Sequence, residues 1–128
     1  QGGMILTAFT VALGGAIGAT LRWLTGILTL RVMGQGFPWG TVTVNVLGSL
    51  FMGVVVVTLA EKGGMRAAPF LMTGLLGGFT TFAAFSLDAV ALMERGQFNL
   101  AVAYIGGSVI IGLAALVFGM TLTRMVLA

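Results

Sequence analysis

Four long uncharged stretches dominate the pattern of polar and apolar positions in this chain. They cover residues 1–21, 32–60, 67–87 and 96–123. The charged side chains that flank them are Arg22, Arg31, Glu61, Lys62, Arg66, Asp88, Glu94, Arg95 and Arg124. A helix crosses the bilayer core with about 20 apolar residues, so each stretch is long enough. The pattern predicts membrane-spanning helices over about Met4–Leu30, Pro38–Ala60, Pro69–Met93 and Phe98–Met125.

Short links with glycine join the predicted helices, and small residues recur within them. Short links make successive helices antiparallel neighbours, so we expect residues 1–128 to form one all-α transmembrane domain. Small residues four apart allow close backbone packing in lipid. The pairs of this kind are Gly14 and Gly18, Ser49 and Gly53, and Gly74 and Gly78.

The composition excludes a soluble globular domain and most enzyme chemistry. Hydrophobic residues make up 59% of the chain and charged residues 7%, against about 25% charged residues in soluble domains. The chain has no Cys and no His, which removes thiolate, imidazole and soft-metal chemistry. Its six basic residues form no stripe for nucleic acid. We expect a non-enzymatic, multi-pass protein of the inner (plasma) membrane, in contact with lipid and with no protein partner beyond a second copy of itself.

The basic residues are balanced between the two ends of the predicted bundle. Lys62, Arg66 and Arg124 fall on one side, and Arg22, Arg31 and Arg95 fall on or toward the other. The asymmetry of Lys and Arg that fixes membrane orientation is therefore absent. The balance predicts insertion in both orientations and an antiparallel homodimer, whose second subunit supplies walls that one four-helix unit lacks.

Polar side chains in the first two predicted helices each have two interpretations. Arg22 is either an interfacial anchor or a cation that attracts an anion to a pore mouth. Thr41, Asn45, Gly48 and Ser49 share one face of the second helix. Asn45 either bonds to a neighbouring helix or offers its N–H groups to an anion that is losing water.

The third predicted helix contains its least helical segment between Gly77 and Phe82. Adjacent glycines followed by Thr80 and Thr81 predict an interruption that exposes main-chain carbonyls, the groups that bind cations in transporters. Phe82 and Phe85 lie on nearly the same face beyond it. They are either ordinary packing residues or present electropositive ring edges to an anion.

Hydroxyl groups and a carboxylate are the other candidates. Tyr104 and Ser108, four residues apart, either bond within their own helix or form a track of donors. Asp88 is the one acidic residue without an adjacent cation in the sequence. It could pair with an arginine or take up protons in a transporter.

Three ordered motifs resemble the Fluc (CrcB) family of small fluoride channels. They are Gly14-Gly15 through Gly18-Ala19 to Arg22-Trp23, then Gly40-Thr41 through Asn45 to Gly48-Ser49, then Gly77-Gly78-Phe79-Thr80-Thr81-Phe82 through Phe85-Ser86. The resemblance covers nearly the whole chain. It implies an antiparallel, dual-topology homodimer with a third helix broken in mid-membrane. Cytoplasmic fluoride would leak out through two pathways.

The resemblance also implies roles for individual residues. It implies a fluoride pathway along Asn45, Phe82, Phe85, Tyr104 and Ser108, to which we add Thr41 on the face of Asn45 and Arg22 in a vestibule. It implies a central structural Na⁺ held by the main-chain carbonyls of Gly77 and Thr80 from each subunit, and no other cofactor. The chain departs from many members of the family at Ala83, Ala84 and Gly112, where hydroxyl-bearing residues are often found.

Two other classes of protein share part of this pattern. A proton-coupled multidrug exporter of the small four-helix type has the same size and charge balance. It needs a membrane-embedded carboxylate, typically in the first helix, and Met4–Leu21 has none. A structural or assembly subunit explains the glycines, yet leaves Asn45, the interrupted helix and the phenylalanine pair without a role.

Overall fold

The computed structural model describes residues 2–128, which are helical along most of their length. Helix α1 covers Gly2–Met33 and α2 covers Trp39–Lys62. The chain then forms a 3-10 helix at Met65–Ala67, a π-helix at Pro69–Leu76, and one turn of α-helix, α3, at Gly77–Phe79. Helix α4 covers Phe82–Glu94 and α5 covers Phe98–Leu127.

Four helical segments are long and apolar enough to cross a membrane, so the chain is an all-helical, multi-pass membrane protein. These segments are Gly2–Met33, Trp39–Lys62, Met65–Glu94 and Phe98–Leu127. They agree with the predicted helices to within a few residues. Helices α1 and α2 extend past the ends of their predicted spans, and each has a basic residue in its last turn, Arg31 in α1 and Lys62 in α2. A cation at this end of a helix interacts favourably with the helix dipole.

The third segment is interrupted near its middle, and its threonines rather than its glycines form the interruption. Gly77 keeps helical angles, with φ −62° and ψ −37°. Thr80 and Thr81 are extended. Thr80 has φ −90° and ψ 160°, and Thr81 has φ −152° and ψ 124°. Extended backbone suits β-branched side chains. The Thr81 hydroxyl accepts a hydrogen bond from the Ala84 N–H at 3.2 Å, and so caps α4.

The closest backbone contacts join alternate helices. Helix α1 packs along the π-helix and α3, and α2 packs most extensively on α5. A Cβ atom on Gly14 would lie 2.6 Å from the Phe70 carbonyl oxygen, and one on Gly53 would meet the Leu116 carbonyl. Glycine is therefore required for both approaches. Residue numbers rise together across each contact, so the helices of each pair run parallel.

Candidate ion-binding groove and cleft

Asn45 of α2 holds the interruption of the third segment in place. Its Nδ2 donates to the Thr81 carbonyl oxygen at 3.0 Å, and its Oδ1 accepts from the Thr81 N–H at 2.8 Å. The side chain thus satisfies both main-chain groups of an extended residue that lies within a membrane segment. Asn45 therefore does bond to a neighbouring helix, while the second N–H of its amide remains for a ligand.

Arg22 of α1 makes a second contact with the interruption. Its Nε donates to the Gly78 carbonyl oxygen at 3.1 Å. Gly78 lies in the last turn before the extended residues, where carbonyls lose the donors that a continuous helix would provide. The guanidinium group thus stabilises the end of α3 through a charge-assisted bond.

Four of the predicted pathway residues line one groove of ≈ 420 Å³, bounded by α2, α4 and α5. They are Asn45, Phe82, Phe85 and Ser108. The Ser108 Oγ is buried and has no hydrogen-bond partner among residues 2–128. A buried hydroxyl without a partner costs about 1–3 kcal/mol. The wall of the groove therefore contains a hydroxyl donor that is available to a ligand.

The two phenylalanine rings of the groove form a short series with Tyr104 behind them. The Phe85 ring lies 5.8 Å from the Phe82 ring and 5.1 Å from the Tyr104 ring, measured between centroids. Tyr104 is fully buried, whereas Phe82 is 78% exposed. The outer wall of the groove is therefore open in a single chain.

Thr41 and Tyr104 both contact Asp88 instead of the groove. The Thr41 hydroxyl donates to the Asp88 Oδ2 at 2.7 Å, and the Tyr104 hydroxyl donates to the same oxygen at 3.1 Å. Hydroxyl groups, and not an arginine, are the hydrogen-bond partners of this carboxylate. On α5, the Tyr104 hydroxyl thus has a partner in Asp88, whereas the Ser108 hydroxyl four residues later has none among residues 2–128.

A second cavity, a cleft of ≈ 390 Å³, also borders the interruption. Arg22, Thr41 and Asp88 line the cleft, and Thr81 lines both the cleft and the groove. The predicted vestibule residue and one predicted pathway residue thus share a cavity that carries charge of both signs. The remaining pathway residues, apart from Tyr104, line the neutral groove.

Gly77 and Thr80, predicted to hold a cation, lie at the start of the interruption. The Thr81 N–H, which would bond to the Gly77 carbonyl in a continuous helix, bonds to Asn45 instead. Gly77 is also exposed on the surface of the chain. No three acidic side chains come together within residues 2–128, so a cation here would depend on main-chain oxygens.

Ser49 and Thr81 also line the groove, and neither was among the predicted site residues. Ser49 follows Asn45 by four residues, a spacing that places the two side chains on the same helical face. The sequence therefore contains the information that Ser49 lies on the same side of α2 as Asn45. The position of Thr81 depends on the contact between α2 and the interruption, which the sequence does not reveal.

Comparisons with known proteins identify the family of this chain. Residues 9–120 match the family model described as CrcB-like protein, Camphor Resistance (CrcB). A protein of Cereibacter sphaeroides named fluoride-specific ion channel FluC is 60% identical over 121 residues, which cover 94% of this chain and 97% of that protein. A FluC protein of a Ruegeria species is 54% identical over 125 residues, covering 97% of this chain and 99% of that protein. The chain therefore belongs to the CrcB family, a family of ion channels and not of enzymes.

Proposed function

We propose that this chain conducts fluoride passively across the cell's inner membrane and so lets cytoplasmic fluoride leak out. The unpaired Ser108 hydroxyl in a groove shared with Asn45 and two phenylalanine rings carries this proposal. Fluoride is small and strongly hydrated, so a selective path must offer neutral donors at fixed positions in place of water. The fluoride specificity in the names of the relatives supports the choice of ion.

The distribution of charge favours conduction over proton-coupled export. Residues that line the groove are neutral, and the nearest carboxylate, Asp88, lies in the cleft with two hydroxyl donors on one oxygen. An exporter that exchanges protons for substrate needs a carboxylate that the substrate can reach in its binding site. The groove offers no such group, which supports a passive channel.

Liposomes that contain the purified protein test this function directly. With equal outward gradients of fluoride and chloride, we expect rapid fluoride efflux and little chloride efflux, both followed with ion-selective electrodes. Liposomes without protein give the background leak. Equal efflux of the two anions, or fluoride efflux no faster than the background, would contradict the proposal.

We further propose an antiparallel, dual-topology homodimer with one fluoride pathway associated with each subunit. The exposed Phe82 ring leaves the groove without an outer wall, and a second subunit would supply that wall. The balance of three basic residues toward each side removes the usual bias in orientation. Both observations support the same assembly.

Cysteine labelling measures the orientation in the membrane. The chain has no native cysteine, and Met65 and Met33 are exposed near opposite ends of the bundle. We expect a membrane-impermeant thiol reagent to label about half of a Met65→Cys protein from outside intact cells, and about half of a Met33→Cys protein. Complete labelling of one variant with none of the other would show a single orientation and refute the dimer.

The Gly77 and Thr80 carbonyls are our candidates for a structural Na⁺ site between the subunits. The exposure of Gly77 and the diversion of the Thr81 N–H to Asn45 support this assignment, since hard cations prefer oxygen ligands. When bound, Na⁺ would neutralise carbonyl dipoles that face the partner subunit. We expect the purified dimer to melt at a lower temperature when Cs⁺ replaces Na⁺, and an unchanged melting temperature would contradict the site.

A further inference from the structure

The groove continues past Asn45 and Ser108 along the contact between α2 and α5. Its lining there consists of Gly48, Ser49 and Met52 from α2, Thr80 from the interruption, and Val109 and Leu116 from α5. The Thr80 hydroxyl already donates to the Leu76 carbonyl oxygen at 2.9 Å. Within this part of the described lining, Ser49 therefore carries the one hydroxyl with an uncommitted donor, and an ion that leaves the Ser108 hydroxyl in this direction would meet it.

The Ser49 hydroxyl is not engaged with its own helix. Thr43 and Thr58 on α2 each donate a hydrogen bond to the carbonyl four residues earlier, at 2.7 Å in both cases. Ser49, which is half-buried, makes no such bond within the described part of the chain. Helical hydroxyls in apolar surroundings usually satisfy their donors in this way. The Ser49 donor is therefore uncommitted within the described residues, and its side chain lines the groove.

Gly112 of α5, a residue without a side chain, lies beside Ser49. Ser49 follows Asn45, and Gly112 follows Ser108, by the same step of four residues, or about 6 Å along each helix. A Cβ atom on Gly112 would have the Ser49 Oγ as its neighbour at 3.7 Å. That distance is an ordinary van der Waals contact, so a small side chain at position 112 would fit next to Ser49.

We propose that the Ser49 hydroxyl contacts fluoride directly, as the donor that follows Asn45 and Ser108 along the groove. This inference rests on the proposed function and extends it to a residue of α2. A conducting path needs successive sites that are strong enough to admit an ion and weak enough to release it. Ser49 supplies such a site at the level where α5 has no side chain at Gly112.

Fluoride efflux from liposomes tests this role with Ser49→Ala. We expect the flux to fall about tenfold or more, because a hydrogen bond to a charged group contributes more than one between neutral groups. The melting temperature and the dimer fraction in detergent should stay at their wild-type values. Thr58→Ala is the matched control, since it removes a hydroxyl from α2 that bonds to its own backbone. Its flux should be that of the wild type.

A second substitution separates ion contact from a structural effect. Gly112→Ser in the Ser49→Ala background places a hydroxyl in the same space from the opposite helix, and we expect it to restore much of the lost flux. Wild-type flux in Ser49→Ala would refute the role of Ser49 and leave the proposed function intact. Lost flux with a lowered melting temperature and no rescue would also refute it. If the wild-type protein itself fails to conduct fluoride, the proposed function fails first and this inference fails with it.

Discussion

Replacing Phe85 with isoleucine is expected to lower fluoride flux by orders of magnitude while the dimer still forms in detergent. The Phe85 ring lines the groove and packs against the rings of both Phe82 and Tyr104. Isoleucine keeps the apolar character and much of the volume, but it removes the electropositive ring edge that an anion can approach. Phe82→Ile should act in the same direction. The measurement is fluoride efflux from liposomes, with melting temperature as the test of folding.

An exposed phenylalanine provides the control for this substitution. Phe118 on α5 is 59% exposed and takes part in no ring pair among the described residues, so Phe118→Ile should keep wild-type flux. If the rings serve only as packing residues, Phe85→Ile will instead lower stability and leave the flux of the folded fraction near normal. Ala83 and Ala84 sharpen the comparison, because no hydroxyl between the two rings can replace them.

Replacing Asn45 with alanine is expected to remove both conduction and the ordered interruption of the third segment. The substitution leaves the Thr81 N–H and carbonyl without the partners that they have at 2.8 Å and 3.0 Å. Each unsatisfied group costs about 1–3 kcal/mol when buried. We expect a marked fall in melting temperature together with the loss of fluoride flux.

Asn45→Asp separates the two roles of this side chain. It retains an oxygen for the Thr81 N–H but loses the amide donors, so flux should be lost even in protein that remains folded. Asn99→Ala, at an exposed asparagine near the start of α5, should keep wild-type stability and flux. Wild-type melting temperature and flux in Asn45→Ala would show that this side chain neither holds the interruption nor serves the ion.

Much of the candidate site follows from the sequence, because each helix presents its side chains with a known period. The sequence marks Asn45, Phe82, Phe85 and Ser108 as polar or aromatic groups in apolar helices, and they line one groove. The same period says nothing about which neighbouring helix a face meets. The sequence therefore does not reveal that Thr41 and Tyr104 both donate to Asp88.

The sequence by itself determined the membrane-spanning helices, since lipid tolerates long apolar helices and few charges. It also determined that the third segment breaks between Gly77 and Phe82, because glycine and β-branched threonine both weaken a helix there. Only the tertiary structure decided how that break is satisfied. Asn45 and Arg22 supply the missing partners across distances of 36 and 56 residues in sequence. Such contacts depend on the pairing of α1 with the third segment and of α2 with α5. The pattern of small residues marks surfaces that can pack closely, but it does not say which helix each surface meets.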